Sequence, residues 1–178
     1  MNETAAEVII LTVNALSAGA LVFIARVVRP LMNQMSAPEF KIWLTRLIRS
    51  AITEPLLVTV GTLPIVGAVL YFYLFGINHG WFAAGLIAWL VGSAASKIIN
   101  QPIYNWVGDP RNTDPGELLK RRACLGIGNN LRALINMISV LLMVAQFGPV
   151  ETAIATLASA IFSVPLIWFA GRYIAHGG

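Results

Sequence analysis

Charge is what this chain has least of: Lys, Arg, Asp and Glu make up 11% of its 178 residues. Soluble domains carry about 25%. Set beside a hydrophobic fraction of 57%, the deficit excludes an ordinary soluble domain and points to an integral membrane protein. Cysteine is nearly missing as well. Cys124 stands alone, so an intramolecular disulfide and a cysteine-based metal cluster are both excluded. Its expected role is that of a small buried residue near a helix. Histidine is limited to His79 and His176, which are expected on opposite sides of the membrane. No His/carboxylate set is therefore expected to hold iron, copper or haem. A Gly-rich nucleotide fingerprint is also missing, and neither a metal nor a cofactor is expected. Before the first apolar run come Glu3 and Glu7 but no Lys or Arg. A signal peptide wants positive charge there, so this run is expected to be kept as a span.

What the chain has is long apolar runs. A hydrocarbon core of ~30 Å takes about 20 apolar residues of helix, and five runs qualify, at about 8–28, 55–76, 81–100, 131–147 and 150–170. The predicted fold is all-α, one polytopic membrane helix bundle with a four-helix core and a fifth C-terminal span. Pro64 and Pro165 predict kinks, which a membrane helix tolerates when neighbours satisfy the freed backbone groups. Ala15 with Gly19, and the stripe Ala84, Ala88, Gly92 and Ser96, predict faces where another helix packs closely. Between the first two spans, Ser36-Ala37-Pro38-Glu39 reads as a helix start. Phe40, Trp43, Leu44, Leu47 and Ile48 then recur at helical spacing among Lys41, Arg46 and Arg49. This amphipathic helix, about 38–51, suits either the membrane surface or packing on its neighbours. Pro102 disfavours helical backbone at Gln101, so the third span is expected to kink or stop there. Residues 101–130 are then expected to form a cytoplasmic loop, with Asp114-Pro115-Gly116-Glu117 opening a helix inside it.

The basic residues sort by loop. Arg26, Arg29, Lys41, Arg46 and Arg49 flank the first connection, and Lys97, Arg111, Lys120, Arg121, Arg122 and Arg132 flank the third. Arg172 lies in the tail, and the N-terminus and the two remaining turns hold none. The positive-inside rule places the N-terminus outside and the C-terminus in the cytoplasm, with a bacterial inner membrane as the expected location. Lipid is the first expected partner. The formal net charge of +4 is spent on topology, so no nucleic acid is expected, while a homo-oligomer is compatible with the sequence.

Polar residues concentrate between Lys97 and Arg132. Asn129, Arg132, Asn136 and Ser139 share one helical face. With the third and fourth spans as neighbours, Lys97, Asn100, Asn105, Asn129, Arg132 and Asn136 converge at the cytoplasmic mouth, and Glu54 enters that layer from the second span. Such groups are costly at membrane depth unless something satisfies or uses them. Arg132 can hold a phenolate, enolate or carboxylate, being always charged and bidentate. Amides of Asn100 and Asn129 can donate to oxygens of the same ligand. Purely structural roles fit each residue equally well: Glu54 as ion-pair partner of Arg132 or Lys97, Asn100 as a cap, Asn129 and Asn136 as bonds between helices.

The order of these motifs carries a resemblance. Gly19, Phe23 and Pro30 mark the first span, and Pro55 opens the second after a basic amphipathic stretch. Asn100, Pro102, Ile103 and Asn105 form an N-x-P-hydrophobic-x-N signature, and Asn129 and Arg132 an N-x-x-R. Over roughly residues 10–147 the chain resembles the anthrone oxygenase-like family of small integral membrane proteins, largely described as a domain of unknown function. Members linked to fungal polyketide pathways are associated with oxidising anthrones to anthraquinones with dioxygen, without a metal. The resemblance implies an oxidoreductase without a cofactor whose partners are a hydrophobic aromatic small molecule and dioxygen. Arg132, Asn100 and Asn129 would be its catalytic residues and Lys97, Asn105, Asn136 and Glu54 its ligand contacts. Two features depart from the family: Gly128 stands where tryptophan is common, and the usual members have four spans. The alternative readings are a non-catalytic binding, structural or accessory membrane protein. A small transporter is a further reading, but the outer halves of the spans are expected to hold too few polar residues for it.

Overall fold

The computed structural model describes residues 2–174, so His176 lies outside the described residues. Helix α1, Glu3–Phe23, passes through a π-helical turn, Ile24–Val28, into α2, Arg29–Gln34. Then come α3, Ala37–Thr53; α4, Pro55–Phe75; α5, Gly80–Gly108; α6, Pro115–Ala145; and α7, Pro149–Ile174. Among the described residues there is no strand. The rod Glu3–Gln34, α4, α5 and α6 are long and apolar enough to cross a membrane. The protein is an all-α integral membrane bundle of four such helices with α7 as a further C-terminal helix. Helix α7 touches the bundle mainly through α6.

Two prolines end nothing. The first span was expected to cover about 8–28, and the helical rod runs on through Pro30 to Gln34. Proline lacks an N–H and its ring crowds the carbonyl four residues back. The π turn absorbs this, with the Arg29 N–H donating to the Ile24 carbonyl five residues back. Pro102 likewise sits inside α5, which runs on to Gly108. The expected loop at 101–130 is therefore corrected to a link of only residues 109–114, and the fourth span starts at Pro115 as part of one long helix. Its start is capped by Asp114, which accepts from the Glu117 N–H at 2.7 Å.

Length explains why the prolines are tolerated. Helices of 29 and 31 residues measure ~43 and ~46 Å at 1.5 Å per residue, well beyond a hydrocarbon core of ~30 Å. The α5–α6 hairpin is longer than the hydrocarbon core requires, and α2 and α3 pack on its 108–115 end. Met32, Phe40, Leu44, Ile103, Val107, Leu118 and Leu125 form a buried core there. Helix α3 is thus a packed helix, and its basic neighbours serve the packing. Lys41 Nζ donates to the carbonyls of Asp109 at 2.7 Å and Asn112 at 2.6 Å. Arg122 donates to the carbonyls of Met32 and Met35, and Arg121 lies 4.2 Å over the Trp106 ring. Arg111 pairs with Asp109 and holds its carboxyl down at about 2. Cys124 is exposed, against the expectation of burial, because Leu118 and Leu125 occupy the inward face of α6.

At the other end of the bundle, Ala68 and Tyr71 of α4 pack with Phe82, Leu86 and Trp89 of α5 and Met143 of α6. Between the two cores α5 and α6 approach closely. A Cβ on Gly85 would lie 2.7 Å from the Ser139 carbonyl oxygen and 2.5 Å from Met143 Cγ, and one on Gly92 would lie 2.9 Å from Ile135 Cγ2. Gly92 of the expected small-residue stripe thus marks a close approach, and Gly85, which lies outside that stripe, marks another. Gly19 is the opposite case. Nothing lies within 4 Å of a Cβ built there, so the Ala15/Gly19 pair does not mark a close approach at that glycine.

Gly85→Ala is expected to lower the thermal unfolding temperature in detergent, by an overpacking cost of about 1–3 kcal/mol. Gly19→Ala should leave it unchanged or slightly raised. Equal melting of the two variants would show that the helix spacing is not set at Gly85.

Candidate ligand clefts between the helices

One face of α5 carries Trp89, Ser93, Lys97, Gln101 and Tyr104 at spacings of three and four, so they lie above one another along the helix. Two clefts open on this face. The smaller, about 330 Å³, runs between α4 and the hairpin and is lined by Gly61 and Ile65 with Trp89, Ser93, Ser96, Lys97, Gln101, Tyr104 and Arg132. The larger, about 850 Å³, is mostly apolar. Phe23, Ile24 and Val28 form one wall, Leu44, Leu47 and Ile48 of α3 another, and Gln101, Tyr104, Asn105 and Asn129 the polar side. Gln101 and Tyr104 belong to both linings, so the clefts adjoin.

The chemistry of the smaller cleft is one-sided. Trp89 Nε1, Ser93 Oγ and Arg132 Nε are buried and have no hydrogen-bond partner within the protein. Indole and guanidinium nitrogens can only donate, and a hydroxyl does so readily. Lys97 adds a second cation, and no carboxylate lines the cleft. Neither Lys97 nor Arg132 makes an ion pair among the described residues. A buried donor left unmade costs about 1–3 kcal/mol. Donors without acceptors in a cleft that no carboxylate lines favour an oxygen anion there over a cation.

The expected site residues divide into three sets. Arg132 and Lys97 share the smaller cleft, while Asn105 and Asn129 share the larger. Asn100 lines neither; it is 1% exposed and donates to Asn129 Oδ1 at 3.0 Å and Ser96 Oγ at 3.4 Å. Gly128 makes room for that amide, since a Cβ there would collide with Asn100 Oδ1. Asn136 donates to the Arg132 carbonyl at 2.9 Å, and Asn105 accepts from Gln101 at 3.0 Å. Glu54 stands apart. Its carboxylate accepts from the Leu57 N–H at 2.6 Å and caps α4, and it pairs with neither Arg132 nor Lys97. Trp89, Ser93 and Tyr104 are cleft residues that the motif reading missed. Their three-and-four spacing with Lys97 on an otherwise apolar helix was the available signal.

A second polar cluster also went unseen. The Tyr71 hydroxyl lies 2.9 Å from Glu7 Oε1 and 3.1 Å from Glu3 Oε1. His79 Nδ1 lies 2.7 Å from Glu7 Oε1, and that hydrogen bond holds the imidazole above its ordinary value. The expectation that no histidine meets carboxylates is therefore corrected. Glu3 and Glu7 are one turn apart on α1 and share a face, and the short 76–79 turn delivers His79 over it. Asn14, also buried, donates to Met143 Sδ at 3.6 Å, so the half of the bundle toward the 76–79 turn, expected to face outward, is less apolar than expected.

No family profile, curated protein or solved structure matches the chain.

Hydrogen bonds between membrane helices average about 0.6 kcal/mol and reach about 1.7. Asn100→Ala and Asn129→Ala should each destabilise the purified protein within that range. The double variant should cost little more than the worse single one, because either substitution already breaks the Asn100 Nδ2–Asn129 Oδ1 bond. Fully additive losses in a double-mutant cycle would separate the two residues.

Proposed function

We propose that the protein holds a flat hydrophobic molecule in the larger cleft, with an anionic oxygen reaching Trp89, Ser93 and Arg132, and oxidises it with dioxygen. One observation supports this reading above the rest: the smaller cleft combines three unpaired buried donors with two cations and no acid. A volume of about 850 Å³ beside it falls in the range of about 300–1,000 Å³ usual for small-molecule sites. The reaction comes from the resemblance to anthrone oxygenases. An anthrone gives up a methylene proton to become an enolate, whose oxygen Arg132 and Lys97 would stabilise. Dioxygen then converts the methylene carbon to a carbonyl, and its second oxygen atom leaves as water. The substrate supplies all the electrons that dioxygen takes up, so the balance needs no external reductant. Tyr104, shared by both clefts, stands where the ring system meets its anionic oxygen. The Asn100–Asn129 pair acts as a positioning element beneath it.

Membranes containing the protein should consume oxygen on addition of an anthrone faster than spontaneous autoxidation. Arg132→Ala and Trp89→Phe, which keeps an aromatic ring but deletes the donor, should each lower kcat/KM by about 10–100-fold, the worth of a hydrogen bond to a charged group. Uptake no faster than autoxidation in the unaltered protein would remove the oxygenase. Quenching of Trp89 fluorescence by the same compound would then leave a non-catalytic binding protein.

We infer in addition an N-terminus outside and the 108–115 end of the hairpin in the cytoplasm. The basic residues of α2, α3 and the hairpin tip support this orientation. In a Cys124→Ser background, Gly80→Cys should react with an impermeant maleimide on intact cells. Arg111→Cys should react only after lysis, and the reverse pattern would invert the topology.

A further inference from the structure

At the end of the bundle away from the clefts, Glu3, Glu7, Tyr71 and His79 converge from α1, α4 and the 76–79 turn. The function proposed above uses none of them. One ligand atom each from Glu3, Glu7 and His79 lie within 4.8 Å of one another. His79 Nδ1 is 2.7 Å from Glu7 Oε1 and 3.7 Å from Glu3 Oε1. Glu7 is 1% exposed although it lies on a membrane-spanning helix. Charge supplies a separate observation. No Lys or Arg occurs before Arg26, between Arg49 and Lys97, or between Arg132 and Arg172. The described helices therefore bring no ammonium or guanidinium to this end. Two carboxylates face a single imidazole. Buried charge persists where it is paired or coordinates a metal.

We propose that Glu3, Glu7 and His79 form a site for a divalent cation of the zinc class, with the Tyr71 hydroxyl against the Oε1 atom of each carboxylate. Imidazole and carboxylate together suit zinc. Magnesium and calcium want six or more oxygen ligands, which this cluster does not offer. With metal–ligand bonds of about 2.0–2.2 Å, ligand atoms of a tetrahedral site stand about 3.3 Å apart. The 3.7 Å pair is close to that, and the 2.7 Å pair widens slightly as the cation replaces the proton between Nδ1 and Oε1. Tyr71 then plays the outer part that hydrogen-bonded groups play around metal ligands. Three protein ligands leave a fourth position for water. Because the ligands come from α1 and the α4–α5 turn, the bound cation clamps the N-terminal helix onto the bundle.

The test uses the full chain without a histidine tag, purified in detergent, stripped with a chelator and titrated with zinc chloride alone. One equivalent of zinc per chain by elemental analysis, with a raised unfolding temperature, is expected. Magnesium chloride should raise it not at all. His79→Ala should abolish zinc binding, and Tyr71→Phe should weaken it about 10-fold. His79 is partly exposed, so its alanine variant keeps the fold, and Glu3→Gln gives a second reading should Glu7→Gln fail to fold. Substoichiometric zinc, or equal zinc uptake and melting in the His79→Ala protein, would overturn the site and leave a protonated His79–Glu7 ion pair only.

Discussion

Close contact between α5 and α6 is the constraint on which the rest of the bundle depends. Lipid tails are as apolar as leucine, so burial alone does not drive membrane helices together. Shape and buried hydrogen bonds do. Gly85 lets α6 come near enough for Ser139 Oγ to donate to the Gly85 carbonyl at 2.7 Å. Gly92 admits Ile135, and Gly128 admits the Asn100 amide. These three glycines lie on both helices and along most of the membrane depth, so the hairpin behaves as one thick strut. The core under α3, the α4–α5 core and both clefts are all built on it.

The clefts follow from where α4 leans. Gly67 sits against Ile10, with a hypothetical Cβ only 3.1 Å from that side chain, so α4 follows α1. It meets α5 through Ala68, Tyr71, Phe82, Leu86 and Trp89 near the short turn. Toward Gly61 the helices part, and the smaller cleft opens between them. Helix α3 then closes over the space between α1 and the hairpin, roofing the larger cleft with Leu44, Leu47 and Ile48. The apolar face that suited either the membrane surface or packing on its neighbours thus serves as one wall of a cavity.

Helix type and number were legible because hydrocarbon thickness leaves few choices for a run of twenty apolar residues. What was not legible is how far helices extend once packing outweighs a local signal. Pro30 and Pro102 each remove one backbone donor, but Met32, Ile103 and Val107 on the far side of them are buried in one core. A local rule sees the lost bond and not the tertiary gain. At the site, Arg132 and Asn129 were legible as costly polar residues. The pairing of Asn100 with Asn129 was not, since it depends on helix rotation. Glu3 and Glu7 served only to argue against a signal peptide, because His79, their partner, lies more than seventy residues further on.

Gly128 bears most directly on what the cluster is for. Any side chain there would enter the space that Asn100 fills. The amide pair is therefore bound to this glycine, joined by one hydrogen bond from Asn100 Nδ2 to Asn129 Oδ1. Arg132 differs, with its Nε buried and unmatched. So do Trp89 and Ser93, which no neighbour satisfies. Asn100 and Asn136 leave only acceptor oxygens unmatched, whereas Trp89 Nε1 and Arg132 Nε are donors without an acceptor and Ser93 Oγ has no partner. That difference in sign supports the proposed placement of an anionic ligand beside Arg132 and its α5 neighbours, with the amides as support.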